Sequence, residues 1–400
     1  SGIWQTVWLE PVPKTRIAEF QLTPDISAGL LRVNVMPEGD TSGLTIRAVA
    51  IEGGQQIAES RFLPGSDGSL VLPETHLWSP EDPYLYDLQL ELIQNGRVVD
   101  TVKSYFGMRS IAIGKDDKGV NRLMLNGRPV FQVGPLDQGF WPDGLYTAPT
   151  DEALRFDLEA TKKLGFNMVR KHVKVEPARW YSWADRLGLL VWQDMPSGNN
   201  TSPAGREQYE RELKAMIDTH RNHPSIIMWV VFNEGWGQYD TPRICEDVKK
   251  LDPSRLVNNA SGWTDKGAGD VHDIHSYPEA ACPPLEPKRA VVLGEFGGLG
   301  LPVADHRWKE RAWGYQDMRD RDHLTRRYGE VLRQAYEFRD NPGLCAAVYT
   351  QTTDVEIECN GLLTYDRGIV KVDESLVARA NRGDFSWLPE RVDVVAAADS

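Results

Sequence analysis

The sequence predicts a multidomain β and α/β protein, an all-β sandwich followed by a TIM-type (β/α)8 barrel. Three observations carry that prediction. Residues 1–110 show short runs of period-two alternation, separated by Gly, Pro and Asp clusters. From about residue 120, apolar strand-like runs alternate with helical ones, the order of βαβ units around a parallel sheet. Eight such strands in about 260 residues fit a closed barrel. A doubly wound sheet is the alternative, but no Gly-rich phosphate loop follows the first strand.

The elements follow in order. Residues 4–11 read as one extra strand, the tail of a domain lying upstream of Ser1. Runs at 31–35 and 44–50 alternate in the sandwich. Tyr86, Leu88, Leu90 and Leu92 alternate with Asp87, Gln89 and Glu91, and Asn95-Gly96 turns the chain into the strand of Val98, Asp100 and Val102. Spacing of this kind suggests about seven strands. The barrel strands are expected at 129–136, 167–172, 189–195, 226–234, 255–261, 271–278, 290–296 and 344–350. Helices are expected at 151–164, with Leu154, Phe156, Leu158 and Leu164 inward, and at 177–187, with Pro177 in the first turn. Two longer ones are expected at 206–220 and 324–338. The boundaries are 1–14 for the upstream remnant, 15–112 for the sandwich, 113–385 for the barrel and 386–400 for an acidic, Ala-rich tail.

Composition narrows the class. A net charge of −13 and a pI near 5.2 argue against nucleic acid or an anionic membrane surface as partner. The central apolar run 226–232 is far short of the ~20 residues a membrane span needs. Cys245, Cys282, Cys345 and Cys359 form no CxxC pair and read as free, mostly buried thiols. The chain starts without Met and already in strand-like sequence, so a natural N-terminus further upstream is expected. The expected location is periplasmic or secreted in a bacterium rather than cytoplasmic. No cofactor is expected, and a homo-oligomer is left open. Thirteen Trp and 13 Tyr supply aromatic faces suited to sugar rings, though most of them serve in the core.

In a barrel of this type, chemistry sits at the carboxyl ends of the strands. The fourth expected strand ends Phe232-Asn233-Glu234, and the seventh ends Gly294-Glu295-Phe296. Strands four and seven face each other across the ring. Two carboxylates placed there stand about 5 Å apart, the spacing for double displacement at an anomeric carbon. One must be protonated to donate to the leaving oxygen, and the other must be ionised to attack. Asn233 beside the acid can hold the sugar 2-hydroxyl.

Asn222-His223-Pro224-Ser225-Ile226-Ile227-Met228-Trp229, running on to Asn233-Glu234, resembles the acid/base signature of glycoside hydrolase family 2. Gly2-Ile3-Trp4 to Trp8-Leu9-Glu10 resembles the last strand of the family's sugar-binding jelly roll. Trp78-Ser79-Pro80, Leu85-Tyr86 and Phe106-Gly107-Met108-Arg109 resemble its immunoglobulin-like domain, and Leu125-Asn126-Gly127-Arg128-Pro129-Val130 the start of its barrel. The resemblance spans residues 1–381. It implies a hydrolase that removes terminal β-linked sugars with retention, Glu234 being the general acid/base and Glu295 the nucleophile.

The resemblance also implies lesser roles. Arg170, closing strand two, would support the nucleophile carboxylate, and Tyr277, closing strand six, would donate to it. His172 stands one residue from the family's usual His, and His275 precedes Tyr277 in the same strand end. Asp194 closes strand three in a stretch more like the family's β-mannosidases than its β-galactosidases. Trp236, Trp141, Asp137 and Trp263 lie on βα loops, where they line the sugar pocket or simply pack. Tyr349 and Gln351 end strand eight, where the family often has Trp. Family β-glucuronidases hold the substrate carboxylate with an Asn-x-Lys pair, and Asn360-Gly361-Leu362 lacks the Lys. The magnesium ligands of large β-galactosidases are not recognisable, so no catalytic metal is expected. The first expectation is a β-galactosidase. A β-mannosidase, a β-galactofuranosidase, an endo-acting hydrolase or a non-catalytic carbohydrate-binding relative are the alternatives.

Overall fold

A computed structural model describes residues 4–390. Seven strands build the sandwich: β1 Arg16–Asp25, β2 Leu30–Glu38, β3 Leu44–Glu52, β4 Gln55–Phe62, β5 Gly68–Val71, β6 Tyr86–Gln94 and β7 Arg97–Phe106. They form a three-stranded sheet, β1-β2-β5, and a four-stranded sheet, β4-β3-β6-β7, all antiparallel. The alternating face of β6 (Tyr86, Leu88, Leu90, Leu92) packs on Leu31, Val33 and Val35 of β2 to make the core. Asn95 and Gly96 both take positive φ at the β6–β7 hairpin, as expected of that dipeptide.

The expected strand at 4–11 does not form. Residues 4–15 pair with no sheet, and an extended segment without a hydrogen-bonded neighbour does not hold as a strand. Gln5 Nε2 instead donates to the Val175 carbonyl at 3.0 Å, and Thr147 Oγ1 donates to the Trp4 carbonyl. Val7, Trp8 and Leu9 lie exposed.

A small antiparallel sheet intervenes before the barrel: β8 Ile111–Lys115, β9 Asn121–Leu125 and β10 Arg128–Pro129. Ile111, Leu123 and Leu125 join Leu136, Met168, Leu190, Trp192, Met228 and Val292 in one cluster, so this sheet closes the amino end of the barrel. The sequence reading ran straight from sandwich to barrel and missed it.

All eight expected barrel strands form: β11 Gln132–Asp137, β12 Met168–Lys171, β13 Leu190–Asp194, β14 Ile226–Asn233, β15 Leu256–Ser261, β16 Val271–Ser276, β17 Ala290–Gly297 and, after short β18 Leu299–Gly300 and β19 Gln316–Asp317, β20 Ala346–Thr350. Their order is β15-β14-β13-β12-β11-β20-β17-β16, and the pairs are parallel. Side chains tie the remaining seam between β15 and β16. Asn258 Nδ2 donates to Asp273 Oδ2 at 2.7 Å, and Ser261 Oγ meets His275 Nε2 at 2.8 Å.

The helices are α1 Asp151–Lys163, α2 Ala178–Leu187, α3 Pro203–His220, α4 Thr241–Leu251, α5 Arg321–Asp340 and α6 Glu374–Asn381. Pro177 is the N-cap of α2 rather than a residue of its first turn, and Ser202 starts α3 earlier than expected by accepting from Gly205 N. In α1 the buried face is Leu154, Asp157, Leu158 and Thr161. Phe156, two residues from Leu154 and hence on another side of the helix, is exposed. Helices α4 and α6 went unread, although Asp240 and Pro242 mark the start of α4. Plain loops carry β15 to β16 and β16 to β17, so the helical ring is incomplete.

Trp78 Nε1 donates to the Asp185 carbonyl, and Arg109 donates to the carbonyls of Pro224 and Ile226 at 2.9 and 2.8 Å. These buried bonds fasten the sandwich to the barrel at the head of β14. Cys245, Cys345 and Cys359 are buried, Cys282 is half-buried, and all four are free thiols. Among the described residues no helix is long and apolar enough to cross a membrane.

Candidate active site

Strand β14 ends at Asn233, and Glu234 turns the chain with φ of 55°. That left-handed conformation is costly for a side-chain-bearing residue and persists only where its surroundings enforce it. Here Glu234 N donates to the Ser261 carbonyl at 2.6 Å and its own carbonyl accepts from Gln238 Nε2. The turn delivers the Glu234 carboxylate over the barrel mouth. Trp236 Nε1 donates to Oε2 at 2.8 Å, and His275 Nδ1 lies 3.1 Å from Oε1.

Glu295 comes from β17. Gly294 precedes it because any Cβ there would meet the Asp273 carboxylate and Ser261 Oγ at 2.3 Å, while its N–H donates to Asp273 Oδ1 at 2.6 Å. Arg170 Nη1 donates to Glu295 Oε1 at 3.0 Å, and the Tyr277 hydroxyl donates to Oε2. Oxygens of Glu234 and Glu295 and Nδ1 of His275 all lie within 4.8 Å of one another.

Arg170 organises the floor. It is fully buried, forks onto both oxygens of Asp194 at 3.1 and 2.8 Å, and reaches Asn233 Oδ1 at 2.9 Å. His172 Nδ1 lies 3.3 Å from Asp194 and 4.0 Å from Glu295. Burial alone would push the Glu295 carboxyl up, but His275, Arg170 and His172 outweigh it and hold it below the usual carboxylate range. Burial likewise opposes the charged form of His275, yet Glu295 and Glu234 raise its pKa above the ordinary imidazole value. The buried Tyr277 hydroxyl, beside Glu295, is pushed well up and stays a proton donor.

Eight of the expected residues thus converge: Glu234, Glu295, Asn233, Arg170, His172, His275, Tyr277 and Asp194. Trp236 joins through Glu234 and is largely exposed at the rim, and Trp263 is exposed with its edge toward His275. Asp137 turns away, with its carboxylate 2.6 Å from Lys171 Nζ. Tyr349 is fully buried behind the sheet between Phe296 and Tyr328, and its hydroxyl accepts from Leu299 N. Trp141 is buried beneath the Arg367 guanidinium. Gln351 is buried, bonded to Asn360 and Gln138.

The sequence reading missed several participants. Ser261, Asp273 and Thr350 end or line strands, so their position was a readable signal; the Thr350 hydroxyl meets the Tyr277 hydroxyl at 2.9 Å. Tyr315 arrives on the long excursion after β17 and stacks on Tyr277 with centroids 3.7 Å apart. It does so over Gly298, whose missing side chain leaves room for the ring. Nothing periodic in the sequence announces that contact.

Among the described residues, two clusters have metal-ligand composition. In the first, Glu234, His275 and Glu295, the carboxylates already accept from Trp236, Arg170 and Tyr277. In the second, Asp265, His272 and Glu286, the Arg289 guanidinium occupies the space between the carboxylates.

Comparison with known proteins agrees with the fold. The family model for glycosyl hydrolases family 2 matches residues 15–109, and the model for the family's TIM barrel domain matches residues 123–283. The chain belongs to glycosyl hydrolases family 2. A protein of Formosa agariphila named as a candidate β-glucuronidase is 29% identical over 244 residues, 58% of this chain and 29% of that protein. A β-galactosidase of Lactococcus lactis is 28% identical over 288 residues, 68% of this chain and 28% of the relative. The chain therefore spans less than a third of these curated relatives. The crystal structure of an FMN-binding β-glucuronidase from Facaelibacterium prausnitzii L2-6 superposes with a TM-score of 0.74 at 20% identity, over 92% of this chain and 63% of that one, a likeness of fold.

Proposed function

We propose that this chain is a retaining exo-β-glycosidase acting by double displacement. The observation that carries the reading is the separation of the two carboxylates. Oxygens of Glu234 and Glu295 lie within 4.8 Å, whereas an inverting pair needs about 6.5–9.5 Å to admit water between acid and sugar.

Glu295 is the nucleophile. Its depressed pKa keeps it ionised, and Arg170 and Tyr277 fix both of its oxygens. As it bonds to the anomeric carbon, the bond to the aglycone oxygen breaks and Glu234 gives that oxygen its proton. Glu234 then takes a proton from water, whose oxygen attacks the same carbon and releases Glu295. Two inversions leave the β configuration. Asn233, held by Arg170, would receive the sugar 2-hydroxyl, and His275 bridges the two carboxylates. Trp236 and Trp263 form an apolar rim for the sugar or its aglycone. A β-galactoside is the first substrate to test, because β-galactosidases are among the relatives; β-mannosides and β-galactofuranosides follow.

The test is the leaving-group dependence of Glu234→Gln. Glycosides with poor leaving groups should slow by about 10²–10⁴-fold, and activated aryl glycosides should keep their glycosylation rate. Equal slowing of both removes Glu234 from the acid role.

A further inference from the structure

The loop after β20 brings a third carboxylate to the pocket, and the reaction above does not use it. Glu358 is half-buried, and its Oε1 accepts from Asn360 Nδ2 at 2.9 Å. Asn360 Oδ1 accepts from Gln351 Nε2 at 2.9 Å, and Gln351 Oε1 accepts from Gln138 Nε2 at 3.0 Å. A chain of amides therefore runs from the end of β11 across the end of β20 to Glu358. Backbone bonds fix the loop as well. Glu358 and Val355 exchange hydrogen bonds at 3.0 Å, and Cys359 N donates to the Trp313 carbonyl at 2.8 Å.

Cys359 N, next to Glu358, is bonded to Trp313, whose ring meets Tyr315 edge to face at 5.3 Å; Tyr315 stacks on Tyr277, the donor to Glu295, and Glu295 and His172 both act electrostatically on the Glu358 carboxyl. The carboxylate thus belongs to the same pocket. Among the described residues only Asn360 donates to it, and no Lys, Arg or His pairs with it.

The cations nearest Glu295 are already committed. Arg170 holds Asp194 and Glu295, and His172 and His275 face carboxylates. Lys371, downstream of the loop, spends its ammonium on Asp354 at 2.6 Å and on the carbonyls of Leu301 and Cys359. Burial, with Glu295 nearby, lifts the Glu358 carboxyl above the ordinary carboxylate range, and above that pKa a substrate carboxylate entering here would meet a negative charge with, among the described residues, no Lys, Arg or His paired to it. A substrate hydroxyl would meet a fixed, unsaturated acceptor.

We propose that Glu358 sets the substrate class, accepting a hydroxyl of a neutral glycoside and excluding uronides that carry a carboxylate in its place. The inference rests on reading the pocket as a glycosidase site. Selection of this kind works through repulsion as much as attraction.

The experiment compares kcat/KM for matched pairs, the 4-nitrophenyl β-galactoside with the β-galacturonide and the β-glucoside with the β-glucuronide. The protein should favour the neutral member. Glu358→Gln should narrow that preference roughly 100-fold, the factor for like charges ~6 Å apart at an effective dielectric of ~20, with an unchanged melting temperature. Glu358→Asp keeps the charge, so it should keep the exclusion while turning over the neutral sugar more slowly. A uronide preference in the unaltered protein, or a ratio unmoved by Glu358→Gln, overturns the inference. Should neither member be hydrolysed, the hydrolase reading fails, and calorimetric binding of galactose against galacturonate tests Glu358 separately. Preference for galactose that Glu358→Gln erases supports it, and equal binding, galacturonate preference or binding of neither sugar overturns it.

Discussion

Arg170 and Lys171 are neighbours at the end of β12, and each sits between two buried carboxylates, yet they build different things. Arg170 points into the barrel and joins Asp194 and Glu295. Lys171 points outward, joins Asp137 and Glu176 at 2.6 and 3.0 Å, and lies over the Trp180 ring. The outer cluster is closed, because Lys174 also pairs with Glu176 and donates to the Gly139 carbonyl. The inner one is open on the mouth, where Glu295 retains some exposure and faces Glu234. The same ion-pair chemistry thus gives a site on one face of a strand and a structural knot on the other. The period-two alternation of the strand decides which is which.

Exchanging the two cations one at a time would break that contrast if it is wrong. The largest effect is expected from Arg170→Lys. An ammonium cannot span Asp194, Glu295 and Asn233 together, so kcat/KM should fall about 10²–10³-fold while the melting temperature changes much less. Lys171→Met leaves Asp137 buried without its ion-pair partner and Glu176 with Lys174 alone, and should cost about 3–5 kcal/mol of stability by urea unfolding. The folded fraction should keep its turnover number. If Lys171→Met instead abolishes turnover in folded protein, the outer cluster belongs to the site.

This contrast also explains how far the sequence could be read. Apolar runs closed by polar residues placed Glu234, Glu295, Arg170, Asp194, His275 and Tyr277 together, since strand ends in a barrel converge on one mouth. Asp137 ends its strand just as Asp194 does, and the sequence could not tell them apart. The difference is one position in a pleat, finer than the accuracy of a strand boundary read from periodicity. Tyr349 misled for the same reason. Tyr315 and Glu358 were invisible because they arrive on loops, whose course depends on packing at Gly298 and on the amide chain through Gln351. The sandwich was legible because one face of each strand is solvated. The segment at 4–11 reads as a strand from its apolar residues, but no sheet receives it, and apolar residues alone do not make a strand.

Two smaller effects sharpen the picture of the inner cluster. Tyr277→Phe removes the donor to Glu295 Oε2, and kcat/KM should drop by about 10²-fold. The acid limb of its pH profile should move to higher pH, because Glu295 loses a contact that favours its ionised form. The stability profile has a definite sign on each side. Glu295 is held below its unfolded pKa, so its contribution is present above about pH 4.5 and is lost as pH falls through the depressed value. His275 is held above its unfolded pKa, so its contribution is present below about pH 6.5 and is lost as pH rises through the raised value. Thermal melts of His275→Gln should lack the alkaline loss attributable to that residue. An unchanged alkaline limb would detach His275 from the carboxylate pair.

The central claim is that Glu295 attacks the anomeric carbon, and azide rescue of Glu295→Ala tests it most directly. A β-glycoside with a good leaving group should be turned over only when azide is added. Azide would enter from the face that Glu295 vacates, so the product should be the α-glycosyl azide. Formation of the β-azide, or no rescue at all, would contradict the account.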